Sequence, residues 1–383
     1  MAVYEDGENK YTSEYLRELR ALPLERKVLL TQSRIMEWYK HFKGNVYVSF
    51  SGGKDSTVLL YLARQLYPDI RGVFSNTGLE YPEIQAFVRK QENIDIIRPK
   101  MSFRDVLMTY GYPLISKEVA HSIVYARSSS EKCRRATENA RKEMLGIRTY
   151  DEVQYSEADG TEIVQARKSR FNKEKWLPLC METPFRISAY CCNVIKKSPM
   201  ASYEWLHGRC KPLIATLTEE SQLRRQAWLK HGCNAFDGAK QTSQPMSFWT
   251  EQDVLHFIQD QGLEIASVYG EIEEMGPCGK LKCSKCDRTG CIFCGFGMHL
   301  EKGPSRFEVL AETHPRQYEY CMEGGQWVDN PDYDPTYTGE KDEMGWELWN
   351  PKKLWVPSDD GLGMRRVFEI YNSLYEERAI QYE

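Results

Sequence analysis

Apolar residues recur at helical spacing from Tyr11 to Phe42, first as Tyr15, Leu16, Leu19 and Leu22, then as Val28, Leu29, Ile35 and Trp38. This spacing predicts two helices. The period then changes. NVYVSF is apolar and β-branched and lies between Gly-containing turns, which predicts a buried strand. STVLLYLARQLY returns to helical period, and IRGVFSNTG reads as a second strand. YPEIQAFVRKQE reads as a helix with Pro82 near its first turn, and IDIIRP as a third short strand. Strands alternating with helices at this spacing predict an α/β fold built on a parallel, doubly wound sheet.

Beyond Gly111 the pattern is helical and charged to about Arg148. DEVQYSEADGTEIVQARK alternates around a central Asp-Gly, which predicts a hairpin insertion. A further strand is expected at KPLIATL and a helix at EESQLRRQAWLKHG. Another helix is expected at FWTEQDVLHFIQDQG, with Thr250 as N-cap and Asp253 three residues on. After Gly262 the composition shifts to a Cys-rich segment and then to a tail rich in Trp, Tyr, Asp and Pro. The expected organisation is linear: N-terminal helices over 1–43, an α/β domain over 44–265 with an insertion at about 120–185, a Cys-rich segment over 266–325 and an acidic, aromatic tail over 326–383. Within the tail, WVDNPDYDPTYTGEKDEMGWELW is expected to wrap the surface, a lid being the alternative.

The 383 residues are 41% hydrophobic, enough for a sizeable core, and carry a net charge of −4. No apolar run reaches the roughly 18 residues of a membrane span. The opening MAVYEDGENKYTSEYLRELR is too polar for a secretory signal. The expectation is a cytoplasmic protein with no membrane partner. There are 12 cysteines, and Cys278, Cys283, Cys286, Cys291 and Cys294 are clustered. In a reducing compartment such a cluster reads as metal ligands. Basic residues outnumber acidic ones between Ala120 and Met200, most densely in KCRRATENARKEMLGIR and QARKSRFNKEKW. These stretches read either as a solvated helix face or as a surface for a polyanion.

Ser51-Gly52-Gly53-Lys54-Asp55-Ser56 lies between a predicted buried strand and a predicted helix. Such a loop presents unpaired backbone N–H groups at a helix N-terminus, where the dipole adds positive charge. Gly52 and Gly53 allow an oxyanion close to the backbone, the two serines can donate hydroxyl hydrogen bonds, and Lys54 adds a charge. The spacing is not that of the G-x-x-x-x-G-K-[ST] loop.

In this context S-G-G-K-D-S resembles the pyrophosphate loop of the adenine nucleotide α-hydrolase (N-type ATP pyrophosphatase) superfamily. VFSNTGLEYPEI, IATLTEESQLRRQAWLKHG and PMSFWTEQDVLHFI resemble, in this order, motifs of its phosphoadenosine phosphosulfate (PAPS) reductase family. The resemblance implies an adenine nucleotide, ATP or adenylyl sulfate, bound across the C-terminal edge of the sheet together with Mg²⁺. Ser51, Gly52, Gly53, Lys54, Asp55 and Ser56 would hold phosphates. Asn76, Thr77, Gly78 and Glu80 would lie near the nucleotide. Glu220, Ser221, Arg224 and Arg225 would face the phosphate or the leaving group, Arg being suited to bonding two oxyanions at once. The plainer reading of either arginine is a surface ion pair with Glu219 or Glu220.

Cys191-Cys192, followed far downstream by Cys291-x-x-Cys294, resembles the [4Fe–4S] motif of the family's iron–sulfur branch. A rival set, Cys283, Cys286, Cys291 and Cys294, would suit zinc. Cys133, Cys180, Cys210, Cys233 and Cys321 read as structural. Two chemistries fit the resemblance. The family's reductases use a cysteine nucleophile in a Glu-Cys-Gly-x-His motif that this sequence does not show, and their phosphate loop is usually degraded. The loop is intact here, which favours ATP cleavage to adenylate an acceptor for sulfur transfer. The acceptor could be a nucleic acid and the sulfur could come from a donor protein. The remaining alternative is a nucleotide-binding iron–sulfur protein without turnover.

Overall fold

The structure, a computed structural model, describes residues 9–155, 162–237, 240–276 and 279–383. The chain forms two compact units, each made of two stretches. The first comprises Met1–Lys100 and Ile195–Cys291, the second Met101–Val194 and Ile292–Glu383. The linear segments 44–265 and 266–325 both cross this division.

The first unit is the doubly wound one. Helices α1 (Ser13–Arg20) and α2 (Leu24–His41) precede β1 (Val46–Ser49), α3 (Lys54–Leu66), β2 (Gly72–Ser75), α4 (Pro82–Lys90) and β3 (Ile94–Ile97). After the excursion into the second unit come α9 (Ser198–Leu206), β7 (Lys211–Ile214), α10 (Gln222–His231), β8 (Asn234–Ala235), β9 (Thr242–Ser243) and α11 (Glu251–Gln261). The six-stranded sheet runs β3-β2-β1-β7-β9-β8. All neighbours are parallel except the β8–β9 pair. β1 pairs with β2 on one side, Val48 opposite Gly72, and with β7 on the other, Val48 opposite Leu213. Helices on both faces bury β1, which is why it is a continuous apolar run rather than an alternating one. Val48, Phe50, Val58, Leu62, Leu213, Trp228 and Trp249 belong to one core cluster.

Helix starts follow local chemistry. Thr250 and Asp253 close a reciprocal capping box on α11. Ser221 ends a short 3₁₀ turn and caps α10, so the segment expected as one helix is divided there. The first unit closes with the antiparallel pair β10 (Ile272–Met275) and β11 (Lys280–Cys283). Cys278, singled out above, lies outside the described residues.

The second unit holds α5 (Phe103–Tyr110), β4 (Leu114–Ile115), α6 (Lys117–Ala126), α7 (Arg134–Met144) and α8 (Leu177–Met181). The expected hairpin is β5 (Thr149–Tyr155) paired antiparallel with β6 (Glu162–Lys168), while its Asp-Gly turn lies outside the described residues. From the C-terminal stretch come β12 (Gly295–Phe296), α12 (Arg306–Thr313), α13 (Pro315–Met322), β13 (Gln326–Asp329), β14 (Lys353–Val356) and α14 (Met364–Leu374). The tail is built into this unit. Trp349 donates to the carbonyl of Thr183 at 3.0 Å, and the buried Arg127 guanidinium stacks 3.9 Å from its ring centroid. Among the described residues no helix is long and apolar enough to cross a membrane.

Candidate functional site

The SGGKDS segment folds as a tight turn from β1 into α3. Gly52 adopts φ +73°, and a Cβ there would lie 2.7 Å from Val88 and 2.8 Å from Ile84 on α4. Both the left-handed backbone and the close helix demand glycine. Gly53 is the N-cap of α3 and supplies no side chain to cap it. Ser56 secures the turn: its Oγ accepts from the Ser51 amide at 3.2 Å and donates to the Gly53 carbonyl at 2.9 Å.

Lys54 is the centre of the site. Its side chain is 5% exposed, and its Nζ donates to Glu251 Oε1 at 2.6 Å and to the Asp287 carbonyl at 2.5 Å. Its amide points toward Tyr269 Oη at 3.4 Å, and that hydroxyl shares a 2.8 Å hydrogen bond with Thr289. Burial pushes the Tyr269 phenol up to about 12. Asp55 is turned inward. Burial pushes its carboxyl above the ordinary range, Lys54, Arg288 and Arg224 oppose that rise, and Glu251 adds to it. Its Oδ1 is a buried atom with no hydrogen-bond partner among the described residues. Such an orphaned acceptor is costly unless a cation or donor reaches it.

A cavity of about 210 Å³ opens here, lined by Ser51, Gly53, Lys54, Asp55, Glu220, Glu251, Tyr269 and residues 287–289, with Leu217 as its apolar contact. A second cavity of about 180 Å³ lies between the carboxyl ends of β1 and β2, with Phe50, Val73, Phe74, Glu80 and Ile84 in its lining. Ser51 and Thr289 line both cavities. The larger cavity of the unit, about 650 Å³, opens at the opposite, amino edge of the sheet beside Tyr39, Tyr67, Arg71 and Tyr203. Ligands of open α/β sheets sit at the carboxyl edge, so the smaller pair marks the site.

The other expected residues distribute unevenly. Glu220 pairs with both Arg224 and Arg288 at the cavity wall. Arg224 thus forms the expected ion pair and also reaches Asp55 electrostatically. Ser221 is occupied as the N-cap of α10, and Arg225 does not line the cavity. Asn76, Thr77 and Gly78 form a turn that holds Glu80, Thr77 Oγ1 donating to Glu80 Oε1 at 2.6 Å. Of these four, Glu80 lines the second cavity. Glu251, Tyr269, Arg288 and Thr289 were not singled out from sequence. The available signals were Glu251 at the first position of a capped helix and Arg-Thr-Gly immediately before Cys-x-x-Cys.

The cysteines divide between the units. Cys283, Cys286 and Cys291 belong to the first, and Cys191, Cys192 and Cys294 to the second. Among the described residues no group of three or more His, Cys, Asp or Glu side chains is arranged to hold a metal ion. Several basic residues of the insertion are internally neutralised: Arg141 by Asp342, Arg148 by Glu143, Lys168 by Glu174, and Lys173 by Glu118 and Glu143.

A parallel sheet with a glycine-lysine loop at the carboxyl end of a central strand places the first unit in the doubly wound α/β class. Within that class the chain belongs to the PAPS reductase family, a family of enzymes of sulfur metabolism: the family model for the phosphoadenosine phosphosulfate reductase domain matches residues 45–295. That membership brings with it the adenine nucleotide α-hydrolase superfamily. An uncharacterized protein of Methanocaldococcus jannaschii is 38% identical over 107 residues, 26% of this chain and 26% of that protein. The chain thus matches about a quarter of that curated relative's length. A crystal structure of phosphoadenylyl-sulfate reductase from Candida auris, in complex with phosphate, aligns with 68% of this chain and 92% of its own. Its TM-score is 0.34 at 12% identity, too distant to carry residue roles across.

Proposed function

We propose that this PAPS reductase-family enzyme cleaves ATP between its α- and β-phosphorus, adenylating an acceptor for sulfur transfer and releasing pyrophosphate. The observation that carries the reading is the complete SGGKDS loop, seated at the N-terminus of α3 with Lys54 facing a phosphate-sized cavity. An acceptor oxygen would attack the α-phosphorus. A new P–O bond forms as the bridging P–O bond to the β-phosphorus breaks, the electron pair leaves on pyrophosphate, and the acceptor proton passes to solvent. Ser51, Gly52, Gly53 and the first-turn amides of α3 would cradle the leaving group, and Lys54 and Ser56 would hold its oxygens. Donors fixed before the reaction stabilise developing charge most effectively. Arg224 would neutralise that charge by exchanging its Glu220 partner for phosphate, whereas Arg225, expected alongside it, lies off the cavity lining. Glu80, held by Asn76, Thr77 and Gly78, would border the nucleoside.

The buried, unpartnered Oδ1 fits Asp55 for orienting the loop or a nucleotide-borne Mg²⁺. That ion would offset phosphate charge. Cys191, Cys192, Cys291 and Cys294 would hold a [4Fe–4S] cluster able to carry electrons, and a zinc ion on Cys283, Cys286, Cys291 and Cys294 is the alternative. A nucleic-acid acceptor draws support from the basic insertion, weakened by its internal ion pairs, and sulfur would arrive from a donor protein.

Family membership favours a second reading, reduction of adenylyl sulfate or its 3′-phosphate to sulfite. That attack needs a reactive thiol, and Cys321, the last cysteine in the sequence, is 0% exposed, with burial pushing it well above the ordinary thiol range. A thiol so buried is a poor nucleophile. Binding without turnover is the third reading. The test divides anaerobically purified protein between Mg·ATP, assayed for AMP and pyrophosphate, and adenylyl sulfate with a thiol reductant, assayed for sulfite. Pyrophosphate that disappears in Lys54→Ala supports the proposal. Sulfite without pyrophosphate overturns it, and so does undiminished pyrophosphate release by the variant.

A further inference from the structure

The cavity wall opposite the phosphate loop comes from Asp287, Arg288 and Thr289, just before Cys291. The segment is held by two contacts to its carbonyls and one to the Thr289 side chain. Lys54 Nζ holds the Asp287 carbonyl at 2.5 Å, and the Tyr269 hydroxyl holds Thr289 Oγ1 at 2.8 Å. The Cys286 thiol donates to the carbonyl of Arg288 itself at 3.0 Å. The main chain is therefore anchored while the Arg288 side chain stays 57% exposed at the cavity rim.

The Arg288 guanidinium makes one long ion pair, Nη1 to Glu220 Oε1 at 3.4 Å, and Glu220 is already engaged by Arg224. Arg288 also acts on the cavity floor, where its charge opposes the burial-driven rise of the Asp55 carboxyl. Lys54 and Arg288 thus line one small cavity at a helix N-terminus, with Arg224 beside it. A forked donor on an anchored backbone can exchange a long carboxylate contact for two oxyanion oxygens at small entropic cost.

We infer that Arg288 is a ligand of the nucleotide's oxyanion beyond the α-phosphorus, positioned by the Asp287–Thr289 backbone. The inference rests on the nucleotide reading above and extends it to a residue outside the phosphate loop. The oxyanion is the β,γ-phosphate of a nucleoside triphosphate or the sulfate of a sulfonucleotide, and the two share the same recognition chemistry.

The experiment titrates the full chain calorimetrically with Mg·ATP, adenylyl sulfate and AMP, comparing wild type, Arg288→Ala and Arg288→Lys, with circular dichroism to confirm the fold. Arg288→Ala should weaken a ligand carrying the distal oxyanion by roughly 10- to 100-fold and leave AMP within about twofold. Arg288→Lys should recover part of the loss. A loss confined to ATP identifies the pyrophosphate group, and one confined to adenylyl sulfate identifies the sulfate. Wild-type affinity in Arg288→Ala for both ligands overturns the inference, and so does an equal loss for AMP. The inference also fails if wild type binds neither ligand more tightly than AMP. Turnover separates the two claims. Wild type that loses ATP affinity on Arg288→Ala yet makes no pyrophosphate overturns adenylation alone. Wild type that makes pyrophosphate with unchanged affinity in Arg288→Ala overturns the role of Arg288 alone.

Discussion

The two edges of the parallel sheet differ in the opposite sense from their size. The amino edge opens into about 650 Å³ between the stacked rings of Tyr39 and Tyr67 and the pair Tyr203 and His207. The carboxyl edge has two cavities of about 210 and 180 Å³. Yet the carboxyl edge has the helix N-terminus, the buried lysine and the inward carboxylate. At the amino edge the charges are already matched: Arg71 binds Asp95 at 3.1 Å, and Tyr203 donates to the same carboxylate at 2.6 Å. Volume alone does not locate chemistry. A helix start supplies unpaired backbone donors together with a favourable dipole.

The sharpest way to break this contrast is at Lys54. Lys54→Ala should lower pyrophosphate release by roughly 100- to 1,000-fold, read in a steady-state assay, with the fold retained. Gly52→Ala tests the geometry beneath the loop. Its positive φ and the contacts with Ile84 and Val88 should cost about 2–4 kcal/mol in a denaturant titration, and nucleotide binding should fall with it.

Asp55 supplies a pH signature. Its folded carboxyl titrates above the unfolded one, so the folded state binds the proton more tightly and stability falls as pH rises between the two values. At neutral pH the ionised buried carboxylate is therefore a penalty, absent once pH drops below the unfolded value. Asp55→Asn should be the more stable protein at pH 7, and its advantage should shrink on acidification. Equal pH dependence of the two unfolding curves would exclude this account. The smallest effect is expected at the other edge. Arg71→Ala should change ATP affinity by less than about twofold, being an exposed pair. A large loss there would move the site to the amino edge.

The same contrast explains what the sequence made legible. The alternation from NVYVSF to IDIIRP specified β1 to β3 with their helices, because β1 and β2 are buried runs, the edge strand β3 is rich in isoleucine, and each helix keeps one apolar stripe. The Thr250–Asp253 cap was legible because it is local. The two-residue strands β8 and β9 were not, since so short a stretch has no period. Nor was the tail, where Trp349 is held by Arg127 and Thr183, residues far away in sequence. At the site the loop residues were readable because glycine, lysine and serine act within six positions. Tyr269, Arg288 and Thr289 join them only through tertiary contacts, and nothing in their local pattern requires it.

The insertion of β7 between β1 and β9 has a consequence for synthesis. The ribosome delivers β1, β2 and β3 early, but the second edge of β1 must wait for Lys211–Ile214, after the whole stretch Met101–Val194 has emerged. That stretch is itself half a unit, completed only by Ile292–Glu383. A nascent chain therefore carries a central strand open on one edge and a partly built second core at once. Open strand edges invite association with other chains. Growth temperature and chaperone supply should govern the soluble yield of this protein more strongly than that of a fold whose sheet closes in the order it is made.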